Sequence, residues 1–346
     1  MRLNQENIFS NNALIRRLIF IMRSLFSILL LFISLCSWAT DSIEQGIRLF
    51  NQKEYTQAQE ILLEESRKGS AYATYWLGVV QYKNGEHFEA GDTFLKAAEM
   101  GSPWAMAMLF ENKLYMHSPC SYLSWACDDT WEEKAIKAWE DQAKNGNGKA
   151  LYALNISRRD WWEYIPFYRS GIYKEIAREA TKNGGYRYFN YSRYWDSDDE
   201  KISYLKLAAN KGYAPAMVSL YYYTEDTDPI SAEKWLYKAL SLGYPNAAEA
   251  FLNKYFLDDS DNKDLEKTYF YNKLWGELGG RKMSDEIFLI ESVKVNGATV
   301  FDDKGKRVTR RIISQEEQNE LDRQVEEFVK DIKINLFLDE TSIELF

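Results

Sequence analysis

The side chains that could do chemistry in this sequence are few, and their spacing argues against most reactions. His87 and His117 are the only two histidines. They are too few for a His-rich zinc site, and no C-x-x-C accompanies them. The acidic stretch "DDSDNKDLEK" at 258–267 resembles a calcium loop. With Asp259 first, however, Lys263 falls on a ligand position and no glycine stands sixth, so it reads as a solvated acidic loop. There is no nucleophile elbow, phosphate loop or dinucleotide fingerprint. The expectation is therefore a chain without metal or cofactor, and not an enzyme. Cys120 and Cys127, in "HSPCSYLSWACDD", read as a local disulfide pinning a loop, with two unpaired buried thiols as the alternative.

Binding chemistry is better represented. "RRDWWEYIPFYRSGIY" is followed by "YRYFNYSRYWDSDDE", and twelve aromatic residues lie between Trp161 and Trp195, interleaved with Arg158, Arg159, Arg169, Arg187 and Arg193. Trp, Tyr and Arg carry most of the energy at protein interfaces. Trp161, Trp162, Tyr164, Phe167, Tyr168, Arg169 and Trp195 are accordingly the candidate anchors for a partner protein. The competing reading is that about half of these rings simply pack the interior. Aromatics alternating with arginine also suit single-stranded nucleic acid, but an acidic chain repels it.

These residues must be positioned by something, and the sequence says what. Glycines recur at 69, 101, 146, 184, 212, 243 and 279, with successive gaps of 32, 45, 38, 28, 31 and 36 residues. Four residues after the glycine stands Ala73, Ala105, Ala150, Ala216 or Ala247, and four further on Leu77, Leu109, Leu154, Leu220 or Phe251. A helix stops readily at a left-handed glycine. Pro103, Pro215 and Pro245 just beyond suit a fresh helix start. Alanine on facing turns lets two backbones approach. Each copy reads as helix, glycine stop, helix, and the periods are those of stacked hairpins. The copy around Gly184 departs, with Tyr188 in place of alanine. The long gaps after Gly101 and Gly146 are insertions, which such arrays send to loops and binding faces.

"AYATYWLGVVQYKNG" (71–85) and "AEKWLYKALSLG" (232–243) together resemble the two halves of the Sel-one-like repeat, a relative of the tetratricopeptide repeat. "TFLKAAEMG" (93–101) and "YLKLAANKG" (204–212) match its second half with substitutions, and the opening "GIRLFNQKEYTQAQEILLEESRKG" is closer to a tetratricopeptide unit. The resemblance implies an all-α fold, an α-solenoid of about seven helical-hairpin repeats over residues 40–285, and a protein partner. Exported Sel-one-like proteins are similar to antidotes of interbacterial phospholipase toxins, which implies an immunity or inhibitor protein. Cysteine-rich relatives described as β-lactamase-like carry a cysteine pair in most copies, where this chain has one pair.

The ends add context. "MRSLFSILLLFISLCSWAT", starting at Met22, has one arginine, an apolar run from Leu25 to Leu35, and Ser37-Trp38-Ala39 before Thr40. It reads as a signal peptide within residues 1–39, with an uncleaved membrane anchor as the alternative and a run that is short for a span. A periplasmic or secreted protein is expected. Removing Arg2, Arg16, Arg17, Arg23 and Glu6 with it leaves 39 basic and 51 acidic side chains, a net charge of −12. That balance disfavours nucleic acid and suits a basic partner, such as a basic toxic enzyme. Residues 286–346 are expected to form a C-terminal unit. "ATVFDDKGKRVT" (298–309) reads as two short strands around Asp303-Lys304-Gly305. "SQEEQNELDRQVEEFVKDIK" opens with Ser314 and Glu317 in capping-box register and reads as a capping helix. "INLFLDETSIELF" ends apolar and is expected to dock on the solenoid. The function expected is a non-catalytic binding solenoid of the cell envelope, an immunity protein against a lipase-type effector in its sharpest form. An envelope scaffold or regulator, or a hydrolase acting on cell wall or β-lactams, are the alternatives.

Overall fold

Thirteen residues is the unit length of this protein. In the computed structural model, which describes residues 41–115, 120, 125, 127–158, 160–256 and 264–343, each recurrent glycine follows a helix, and five of those helices are 13 residues long. They are α2 (Tyr55–Arg67), α4 (His87–Glu99), α9 (Asp198–Asn210), α11 (Pro229–Ser241) and α13 (Leu265–Glu277). The glycines themselves have φ between 76° and 97°, the left-handed region where a Cβ would clash with the carbonyl that follows. The signal peptide expected at 1–39 and His117 lie outside the described residues.

After five of the seven stops the chain turns into a second helix: α3 (Ala71–Lys83), α5 (Pro103–Met106), α7 (Gly148–Ser157), α10 (Ala214–Thr224) and α12 (Pro245–Phe256). Three of these starts are capped by the residue next to the glycine. Ser70, Ser102 and Asn147 accept from the N–H of Ala73, Ala105 and Ala150 at 3.1, 3.4 and 3.0 Å. The same alanines, with Ala216 and Ala247, are buried against the neighbouring helix, and Leu77, Leu109, Leu154, Leu220 and Phe251 fill the layer one turn on. The protein is an α-solenoid.

Where Tyr188 replaces the alanine, the second helix is lost and 3-10 turns at Tyr186–Asn190 and Ser192–Tyr194 take its place. A phenol ring cannot sit in the gap a methyl group leaves between two backbones. It is instead fully buried, its Oη accepting from Asn155 Nδ2 at 2.9 Å and its ring set edge-on to Tyr152 and Tyr194. The first insertion is described only at residues 120, 125 and 127 onward. Cys120 and Cys127 are disulfide-bonded with Cα atoms 5.6 Å apart, and Trp125 packs on Phe94 and Tyr82.

The C-terminal unit differs in one respect from its sequence reading. The expected strands do meet around the 302–305 turn, but as a single bridge between Phe301 and Arg307. The main pairings are Ile290–Ser292 with Thr309–Arg311, and Lys294–Val295 with Ala298–Thr299. Asn296 and Gly297, at φ 51° and 81°, form the tight turn that an Asn-Gly pair favours. Helix α15 (Gln315–Val329) opens with the Ser314–Glu317 capping box and lies on α13. Its Leu321 and Val325 are buried, and its Asp322 accepts from Tyr269 Oη at 2.8 Å.

Residues 333–343 then run back across the array. Asn335 N donates to Gly243 O at 2.9 Å and Leu336 N to Asn51 O at 3.1 Å. One residue of chain spans about 3.5 Å, so Gly243 and Asn51 are neighbours despite five intervening hairpins. Lys53 Nζ likewise reaches Gly279 O at 2.7 Å. The solenoid curls until the turn after its first helix (residues 41–51) meets the corners of its last hairpins, and the tail lies in the space inside.

Gly243 is where the stop and the tail collide in requirement. A Cβ there would lie 1.9 Å from Lys333 O, whereas a Cβ on Gly69 meets nothing within 4 Å. Gly69→Ala should therefore cost only the left-handed backbone term, roughly 1–2 kcal/mol, and lower Tm by a few degrees. Gly243→Ala should melt clearly lower and expose the tail to limited proteolysis. Equal melting temperatures for the two variants would disprove the contact.

Candidate functional site: an overhanging aromatic shelf and an occupied groove

The helix that carries the second insertion, α8 (Pro166–Lys182), has 17 residues. Measured back from its glycine, a 13-residue helix would begin at Ser170. Residues 166–169 are thus one extra turn, projecting about 6 Å beyond the row of helices. A 3-10 turn, Trp161–Tyr164, precedes it, closed by a capping box between Asp160 and Glu163. Large side chains on this overhang have no neighbouring repeat to pack against. Phe167 is 97% exposed, Tyr164 73%, Trp161 68% and Tyr168 53%. Trp161 stacks on Tyr168 with ring centroids 6.0 Å apart. Trp162 is half-buried, edge-on to Tyr173 at 5.1 Å.

Beside this shelf opens a cleft of about 490 Å³. Lys113, Arg158, Arg169 and Arg193 line it with Tyr164, Tyr173, Tyr191 and Tyr194, and Glu163 is its one acidic lining residue. Arg158 is held by Glu140 and by Asp160 Oδ2 at 3.0 Å. Arg193 lies over the rings of Tyr191 and Tyr194 and donates to Tyr194 Oη at 3.2 Å. Tyr173 donates to Glu163 Oε2 at 2.7 Å. Burial, and then that carboxylate, push its phenol up to about 12. The cleft is therefore locally cationic in a chain whose net charge is −9.

Six of the seven anchors expected from the sequence, Trp161, Trp162, Tyr164, Phe167, Tyr168 and Arg169, come together here. Trp195 does not. It is 7% exposed, lying along Phe189 at 5.9 Å and against Tyr204 at 5.1 Å. It follows the degenerate corner, where the missing helix leaves a space that only large rings can fill. Trp195 is a core residue.

A second surface was not found by sequence reading. The tail lies in an inner groove with Phe337 set edge-on between Tyr213 and Tyr244, at 6.1 and 5.7 Å. Glu340, 3% exposed, accepts from Tyr72 Oη and from Lys149 Nζ at 2.7 Å. Tyr213 and Tyr244 stand at the corner positions that Ser70, Ser102 and Asn147 fill elsewhere. The signal was a "GY" pair in two consecutive copies. Burial, then the Glu340 carboxylate, hold the Tyr72 phenol well above its ordinary value of 10. Burial opposes the charge of Lys149, but Glu340 and Asp339 outweigh it and raise that pKa too. Among the described residues, no group of three or more His, Cys, Asp or Glu could hold a metal ion. Asp264, from the acidic loop, instead caps α13 by accepting from Lys267 N at 3.0 Å. No helix among the described residues is long and apolar enough to cross a membrane.

The corners share one geometry, a left-handed glycine that ends a helix followed in five of seven copies by a buried alanine four residues on. Neither a protein-family model nor a curated protein matches the chain. Several solved structures are similar to it, among them the two that follow. One is a Sel1 repeat protein from Oxalobacter formigenes, 20% identical, covering 70% of this chain and 98% of its own, with a TM-score of 0.38. The other is a protective antigen of uropathogenic Escherichia coli displaying an SLR fold, 14% identical over 86% of this chain, with a TM-score of 0.39. This chain spans 64% of that antigen's length.

Two measurements separate these roles. In urea, Trp195→Ala should lose about 3–5 kcal/mol of stability, while Trp161→Ala should stay within about 0.5 kcal/mol of the parent. Similar losses in both would place Trp161 in the core. The second measurement is alkaline. Tyr72, Tyr75 and Tyr188 have folded pKa values raised well above 10.0 by burial, and Lys149 is raised as well. Such groups contribute stability that is full below their unfolded pKa and is lost as pH climbs towards the folded one. Stability should therefore fall above about pH 10, with tyrosinate absorbance from these rings appearing together with unfolding. Gradual titration of every tyrosine in the folded state would contradict this.

Proposed function

We propose that the chain is a non-catalytic, protein-binding solenoid of the cell envelope, and that a partner protein docks on the overhang at residues 161–169. The observation that carries this is the exposure of Trp161, Tyr164, Phe167 and Tyr168 on a turn that the array does not need. Exposed apolar side chains are ordinary singly, but a contiguous group on one projection marks an interaction site. Arg169 and Arg193 in the adjoining cleft add the third residue type in which binding energy concentrates.

Within this reading we propose the finer one of an exported immunity or inhibitor protein that occludes a secreted, lipase-type antibacterial effector. It draws on the export signal read at residues 1–39, the Sel-one-like resemblance and the acidic net charge. Acidity steers a basic enzyme at long range, while the cationic cleft takes carboxylates at the contact itself. A scaffold or regulator would use the same overhang and differ only in what it holds. A hydrolase acting on cell wall or β-lactams is the alternative from another class, and turnover of either substrate by the purified chain would favour it.

The mature chain, used as bait on envelope and secreted proteins of the producing organism and its competitors, should retain a partner identifiable by mass. Trp161→Ala and Phe167→Ala should weaken that complex by about 2 kcal/mol or more each, with Tm unchanged. Full affinity in both variants would remove the overhang from the interface. Inhibition of the partner's enzymatic activity on binding would support the immunity reading, and a partner left active would support the scaffold.

A further inference from the structure

The inner groove is built as a site for an extended peptide, and the tail shows its recognition chemistry. Residues 332–339 have no regular secondary structure, and the groove satisfies their main chain the way a receptor holds a peptide. Asn51 clamps Leu338 twice, Oδ1 accepting from its N–H at 2.6 Å and Nδ2 donating to its carbonyl at 3.1 Å. Gly243 O and Asn51 O take the N–H groups of Asn335 and Leu336. Bonds of this kind read no side chain. Selectivity comes from two fixed points, the Tyr213–Tyr244 gap around Phe337 and the Lys149–Tyr72 pair on Glu340.

Three features mark the groove as more than a strap for this tail. Cavities of about 370 and 600 Å³ remain beside Phe337 and beside Glu340, so the tail does not fill it. Phe337 has φ 54°, a left-handed backbone that favours glycine, so a ligand free of that kink sits with less strain. The helix α10 forgoes a side-chain cap to place Tyr213 at its corner, where a serine or asparagine would serve folding better. Helix α15 is fixed to α13 by Asp322 with Tyr269 and Lys273, so residues 333–343 can leave while the cap stays.

We infer that the inner groove binds an extended partner segment bearing an aromatic residue and, three residues later, a carboxylate, and that residues 333–343 are an exchangeable internal occupant of it. The inference does not depend on the overhang, which lies elsewhere on the chain.

The probe is a labelled synthetic peptide with the sequence of residues 333–343, added to the full-length chain. A Phe337→Ala, Glu340→Gln variant, whose own tail is loosened, should bind it one to one and at least about tenfold more tightly than the parent does. That gain is the relief of internal competition. Adding Lys149→Met, or removing the aromatic residue from the peptide, should abolish the gain. A dimer that the peptide dissociates would also support the inference, with the tail of a second copy as occupant. Equal binding by parent and loosened variant, or none by a variant that keeps the parent's circular dichroism, overturns it. Should the variant unfold, hydrogen exchange on the parent decides. Leu336 and Leu338 amides that exchange well before global unfolding support an exchangeable tail, and amides that exchange only with global unfolding refute it.

Discussion

The close approach of two helices across a left-handed glycine corner is the constraint on which everything else in this protein rests. A glycine at φ 76–97° ends one helix, and the alanine four residues later is buried where the next helix returns. The distance between them is fixed by one helical turn, so neither can drift without the other. In a stacked array small rotations from one hairpin to the next accumulate into a curl. The curl brings Asn51 and Lys53 against the corners at Gly243 and Gly279. A flatter array would leave no inner groove and no place for a tail.

Departures from the corner rule create the features that can carry function. Tyr188 in place of alanine removes one helix and obliges Tyr152, Phe189, Tyr194 and Trp195 to fill the gap. The helix before that corner is lengthened by a turn, and the surplus turn carries rings into solvent. One irregularity therefore divides much of the aromatic stretch in two, with Tyr188, Phe189, Tyr194 and Trp195 buried after the glycine and Trp161, Tyr164, Phe167 and Tyr168 exposed before Ser170. Composition cannot separate those halves, since both are Trp, Tyr and Arg.

Most of the architecture was legible because its signals are local. Glycine stops, alanine at plus four and proline at helix starts are properties of adjacent residues, and the Ser314–Glu317 box forms as its spacing implies. The candidate anchors were legible as a class, and Trp195 was misplaced because its burial depends on a helix that is absent from the fold. That loss shows in the sequence only as Tyr188. The nested strands around Asn296-Gly297 had a clear turn signal that the neighbouring Asp303-Lys304-Gly305 overshadowed. The groove was invisible for a different reason. Tyr72, Lys149, Tyr213 and Glu340 span 268 residues between the first and last, and nothing local says they converge. Only the accumulated curl places them together.

The two surfaces also differ in how charge is used. Beside the overhang, Arg169 and Arg193 line an open cleft with their side chains exposed, where solvent screens them. In the groove, Lys149 and Glu340 are largely withdrawn from water and bonded to each other. A buried pair of this kind adds little net stability over a well-packed apolar pair, yet removing one partner is severe because the other is left uncompensated. Such a pair is a poor stabiliser and a good discriminator. It rejects any segment that cannot present a carboxylate at the right distance from its aromatic residue. The overhang presents exposed rings and screened cations, whereas the groove fixes its occupant at one aromatic residue and one carboxylate. A single chain thus holds an exposed surface and a selective one, set apart by the same repeat that builds both.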